Sequence, residues 1–87
     1  MTFTKGLAKE VIKRGIRVNA VAPGPVWTPL IPMSMPRKDV TTFGDTTPMK
    51  RPAQPAEIAP VYVLLASSES SNITGEVIGV TGGMSVG

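Results

Sequence analysis

Neither cysteine nor histidine occurs anywhere in this chain of 87 residues. Without cysteine there are no disulfides and no thiolate chemistry, and most structural zinc sites are excluded as well. Long hydrophobic runs are also missing. The longest unbroken one, Val61 to Ala66, falls far short of the ~18 residues a membrane helix requires. No long apolar stretch follows the first charges, so no signal peptide is expected and the cytoplasm is the expected location. Low-complexity sequence is lacking too, and 41% apolar with 17% charged residues is the composition of a folded chain. The length allows one domain at most. A chain this short buries only about 60–65% of its unfolded surface, which makes its stability marginal.

Charge is unevenly placed. The first 17 residues hold Lys5, Lys9, Lys13, Arg14 and Arg17 against Glu10 alone, while the remaining 70 carry a net charge of −1. Lysines at every fourth position form one stripe on a helix. No aromatic residue interleaves that stripe for base stacking, so it reads as a solvated helix face and no nucleic-acid partner is expected.

Phe3, Leu7, Ala8, Val11 and Ile12 have the spacing of one helical face, which predicts a helix over 3–14 that Gly15 ends. Ile16 to Ala22 alternates as a strand does, until Pro23-Gly24-Pro25 stops it. All nine prolines lie between Pro23 and Pro60, and residues 23–54 read as one long connection with room for short helical turns. Such loops within a domain are usually binding segments or lids. A second helix is expected from Pro55, with Glu57 in its first turn and Pro60 as an interruption. Its apolar residues surround the axis, which predicts burial. Glu76 to Val80 reads as a second strand. The order helix, strand, loop, helix, strand contains a βαβ unit with parallel strands, and two strands are a piece of a sheet.

Consecutive motifs resemble one family. Phe3-Thr4-Lys5-Gly6-Leu7-Ala8-Lys9-Glu10 followed by Gly15-Ile16-Arg17-Val18-Asn19-Ala20-Val21-Ala22-Pro23-Gly24 is similar to a late helix and strand of short-chain dehydrogenase/reductases. Arg51-Pro52, Pro55-Ala56-Glu57-Ile58-Ala59 and Leu64-Leu65-Ala66-Ser67 resemble the helix before that family's last strand. Ile73-Thr74-Gly75-Glu76-Val77 and Val80-Thr81-Gly82-Gly83 resemble the strand itself. The likeness covers nearly the whole chain in the right order. It implies an α/β architecture of which residues 1–87 form an incomplete C-terminal segment: a partial Rossmann-type fold, helix-strand-loop-helix-strand, with a two-stranded parallel βαβ unit. It also implies NAD or NADP as the cofactor of the complete fold and hydride transfer on an alcohol or carbonyl. Pro23, Gly24, Val26 and Thr28 would meet the nicotinamide end. The alternative for Thr28 is a helix or turn cap. Leu30, Ile31, Met33, Met35 and Phe43 would belong to the substrate-covering part of the 23–54 loop, or simply pack on the body.

The same resemblance defines what these residues lack. No glycine-rich nucleotide turn is present, since Gly79, Gly82, Gly83 and Gly87 precede no helix that would receive a pyrophosphate. The family's catalytic serine, tyrosine and lysine are unmatched as well. The only tyrosine, Tyr62, has Ala66 four residues later, and it reads as a core or interface residue. No catalytic residue and no metal ligand is therefore assigned. The expected protein is a fragment of an NAD(P)-dependent oxidoreductase, inactive and binding no nucleotide alone, with the rest of the fold or its own copies as partner. An interaction or oligomerisation module derived from that family is the alternative.

Overall fold

The computed structural model describes residues 2–85. The first helix, α1, spans Thr2–Val11 and tightens into a short 3₁₀ turn at Ile12–Arg14. Gly15 closes it at φ 74°, a left-handed conformation that costs glycine little, and donates its N–H to the Ile12 carbonyl. Ala8, 2% exposed, is the contact residue of α1. It rests on Gly75 in the turn before the last strand, where an added β-carbon would lie 3.5 Å from the Ala8 Cβ. Lys5 fastens the same contact by donating to the Gly75 carbonyl at 3.0 Å. Lys9 and Lys13 are exposed, as expected of a solvated face.

Two parallel strands follow the expected order: β1 at Ala20–Pro23 and β2 at Val77–Val80, with Ala20 opposite Val77 and Pro23 opposite Val80. The expected strand over 16–22 is thus corrected at its start. Residues 17–19 run beside 73–76 but bond largely through side chains. The Val18 N–H donates to Thr74 Oγ1, and the Glu76 N–H to Asn19 Oδ1. These bonds break the ladder. Pro23 fits at the end of β1 because the bonds to β2 come from its neighbours, including Gly24 N–H to the Val80 carbonyl.

The connection between the strands contains two one-turn helices, α2 at Leu30–Ser34 and α3 at Arg37–Thr41, and then α4 at Pro55–Ala66. Pro55 occupies the first helical position, and the helix continues past Pro60. Its expected burial is not found. Ile58 is its buried residue, whereas Tyr62, Val63 and Leu64 are 56%, 68% and 43% exposed, so Tyr62 is not a core residue. The reason is visible in the dimensions. A compact chain of this size would have a radius of gyration near ~12 Å; this one reaches 15.7 Å. Its 6209 Å² of accessible surface exceeds the roughly 4,900 Å² of a compact chain of the same mass. Among the described residues the sheet has two strands, and the helices around them leave most of α4 uncovered.

Candidate functional site

The two strands point their carboxyl ends the same way, and three segments gather there: residues 23–28, 47–53 and 80–83. In open parallel sheets this is the end where ligands bind. Gly24 is required by packing at this point. An added β-carbon would lie 3.0 Å from the Thr81 α-carbon and 3.1 Å from its carbonyl oxygen. The backbone that needs the missing side chain is the exit of β2.

Val26 forms a parallel bridge with Ala53. The Ala53 N–H donates to the Pro25 carbonyl and the Trp27 N–H to the Ala53 carbonyl, both at 2.8 Å. This pattern turns the peptide groups of Val26 itself to the opposite side. Among the described residues, neither its N–H nor its carbonyl has a hydrogen-bond partner. Thr28 is half-buried two residues on, and its hydroxyl makes no hydrogen bond among the described residues. Its carbonyl accepts the Ile31 N–H, but Pro29 caps α2 and no side chain caps that helix. Thr28 thus gives no side-chain cap, although its carbonyl closes the turn that enters α2. One backbone donor, one backbone acceptor and one hydroxyl lie unspent along three residues. A primary carboxamide, with one acceptor oxygen and two donor hydrogens, matches that set.

The loop residues divide. Phe43 packs on Trp27, the ring centroids 6.2 Å apart and tilted by 53°. Ile31 and Met35 are half-buried, while Leu30 and Met33 stand 65% and 82% exposed. A cleft of about 360 Å³, lined by Lys5, Ala8, Lys9, Ile12, Thr74, Gly75 and Glu76, lies before the start of β2, at the opposite end of the strands.

Sequence reasoning overlooked the buried support of this end. Thr47, 2% exposed, accepts the Arg51 N–H at 3.3 Å and has the carbonyls of Gly44 and Arg51 within donating distance, at 3.0 and 3.2 Å. Gly44, at φ 87°, lies so close to Pro52 that an added β-carbon would overlap its nitrogen. A neutral threonine in a proline-containing loop carries no signal of such a role.

This fold is that of an α/β protein with a parallel sheet, its unspent backbone groups at the carboxyl ends of the strands. The enoyl-(acyl carrier protein) reductase family profile matches residues 1–85, and the chain belongs to the short-chain dehydrogenase/reductases. It is 57% identical over 83 residues to the uncharacterized oxidoreductase YhxC of Bacillus subtilis, an alignment covering 95% of this chain and 29% of that protein. It is 55% identical over 83 residues to the glucose and ribitol dehydrogenase of Daucus carota, covering 95% and 28%. A 3-oxoacyl-[acyl-carrier protein] reductase from Brucella melitensis, solved with bound NAD, superposes with a TM-score of 0.79 at 43% identity, over 99% of this chain and 30% of that one. The chain thus spans less than a third of the length of these relatives, and its structure is a partial Rossmann-type fold.

Proposed function

We propose that these residues form the nicotinamide-side and closing segment of an NAD(P)-dependent oxidoreductase acting on an alcohol or carbonyl substrate, and that alone they neither bind the cofactor nor turn over. The carrying observation is that, among the described residues, the amide and carbonyl of Val26 and the neighbouring hydroxyl of Thr28 have no hydrogen-bond partner, at the carboxyl ends of two parallel strands. The Val26 N–H would donate to the carboxamide oxygen of a nicotinamide, and the Val26 carbonyl would accept from its amide nitrogen. The Thr28 hydroxyl supplies a further partner. A bound nicotinamide would exchange a hydride with the substrate. Pro23 and Gly24 would carry the turn past it, and Leu30, Ile31, Met33, Met35 and Phe43 would belong to the substrate-covering segment within residues 23–54. None of these residues binds adenine, ribose or pyrophosphate. One or two hydrogen bonds at ~1 kcal/mol net each do not offset the several kcal/mol lost on association.

Calorimetry of the purified chain should therefore show no saturable heat with either nucleotide, and absorbance assays on aldehydes, ketones and sugars no turnover. A micromolar affinity would overturn the binding half of this reading. Joined in place of the matching segment of the Bacillus subtilis relative, the chain should restore cofactor binding, and Thr28→Ala should weaken it. The alternative, an interaction module, is favoured by one observation: the exposed Tyr62, Val63 and Leu64 on α4. Sedimentation of the isolated chain as a discrete, concentration-dependent oligomer with ordered amide spectra would support it.

A further inference from the structure

Thr47 lies outside every contact proposed above, yet it is among the most deeply buried polar side chains described, 2% exposed in a chain with few buried residues of any kind. Its hydroxyl organises a tight turn. The Thr47 N–H donates to the Gly44 carbonyl and the Lys50 N–H to the Thr47 carbonyl, and Lys50 takes a positive φ of 60° to complete the reversal. Such a conformation is uncommon for a residue with a side chain and persists where surroundings impose it. The hydroxyl accepts the Arg51 N–H across this turn, directly after Lys50.

Two connections lead outward from this turn. Met49 N–H donates to the Gly82 carbonyl at 2.9 Å, and the Thr47 Cβ lies 3.3 Å from where a β-carbon on Gly82 would sit, so the turn is pressed against the exit of β2. In the other direction Arg51 leads through Pro52 to Ala53, which holds Pro25 and Trp27 and so sets the direction of the Val26 peptide groups.

We infer that Thr47 is a positioning residue for the nicotinamide turn: through Arg51 and Ala53 it fixes the orientation in which Val26 presents its N–H and carbonyl. This rests on the cofactor reading of Val26 and Thr28. The two are separable, because Thr47 touches no proposed ligand atom and acts only through the backbone of another segment.

The test uses all 87 residues put in place of the matching segment of the Bacillus subtilis relative. Thr47→Val keeps the shape and removes the hydroxyl. It should raise the KM for the dinucleotide roughly five- to tenfold, the equivalent of one or two hydrogen bonds. Inhibition by ADP-ribose, or by its 2′-phosphate where the fusion uses NADP, which keeps every part of the cofactor except the nicotinamide, should change less than about twofold. Thr47→Ser, which retains the hydroxyl, should restore the dinucleotide KM. A purely structural role would weaken both ligands alike, and that result, or no change in either, overturns the inference. If Thr47→Val does not fold, Thr47→Ala removes the same hydroxyl without adding a methyl group in its place and should produce the same split. A rise with Thr28→Ala and none with Thr47→Val sinks this inference alone. If neither variant changes the KM, or the fusion binds no nucleotide, the cofactor reading falls with it.

Discussion

Helix α4 is held at each end by an arginine, and the two attachments are chemically unlike. At its C-terminus Arg17 reaches from the approach to β1 and donates to the carbonyls of Leu65 at 2.9 Å, Ser67 at 3.3 Å and Ile73 at 3.1 Å. Ser70, 1% exposed, adds its hydroxyl to the Leu65 and Ser67 carbonyls. A cation here satisfies the orphan carbonyls of the helix end and complements its dipole. At the N-terminus Arg51 forms a two-pronged bond to Glu57, at 2.8 and 2.9 Å, while Glu57 also accepts the Gln54 N–H at 2.8 Å. Both partners there are exposed, where water and salt screen the attraction. The contrast teaches that charge at the site-facing end of α4 is replaceable, whereas charge at the far end is part of the framework.

The largest expected effect follows from the framework arginine. Arg17→Ala leaves three half-buried carbonyls without their charged donor and should cost roughly 3 kcal/mol or more. The urea midpoint of the fused protein measures it, and Arg17→Lys should recover only part, because a single ammonium cannot reach three carbonyls in a fork. A loss no larger than that of an exposed ion pair would erase the distinction between the two ends. Ser70→Ala comes next, at about 1 kcal/mol for one buried hydroxyl with two acceptors.

Smaller still is the site-facing pair. Glu57→Gln should leave the urea midpoint nearly unchanged in 0.5 M salt, since exposed pairs are worth little and salt weakens them further. Its signature is pH. The hydrogen bond from Arg51, then that from the Gln54 N–H, lower the Glu57 carboxyl from 4.5 to about 2, and the same pairing raises Arg51. A depressed carboxyl contributes stability in full above pH 4.5, and that contribution is lost as pH falls toward 2. The carboxyl carbon resonance of Glu57 should titrate near that lower value, and Gln54 amide exchange should accelerate over the same range. A midpoint at the ordinary value would show that the pair does not form in solution.

The same contrast explains what was legible beforehand. Pro55 and Glu57 announce the start of α4 because a helix N-terminus is a local event, with partners three to six residues apart. The C-terminal attachment joins Arg17 to residues 48 to 56 positions away, and nothing local predicts it. The alternation over 16–22 suggested a longer strand for a related reason. Periodicity reports which side a residue faces, whereas Thr74 and Asn19 decide whether backbone meets backbone.

By itself the sequence determined the order of elements, the stops at Gly15 and at Pro23 to Pro25, the parallel pairing and the family, because these follow from spacing and local backbone preference. Only the tertiary structure decided that Gly24 yields to Thr81, that Val26 keeps its own peptide groups unspent, and that Thr47 lies at the root of that arrangement. Each of those facts depends on three segments distant in sequence meeting at one end of a sheet. The exposure of α4 has the same origin: its composition suits burial, but burial requires an opposing surface, and among the described residues only Ile58 of α4 is buried.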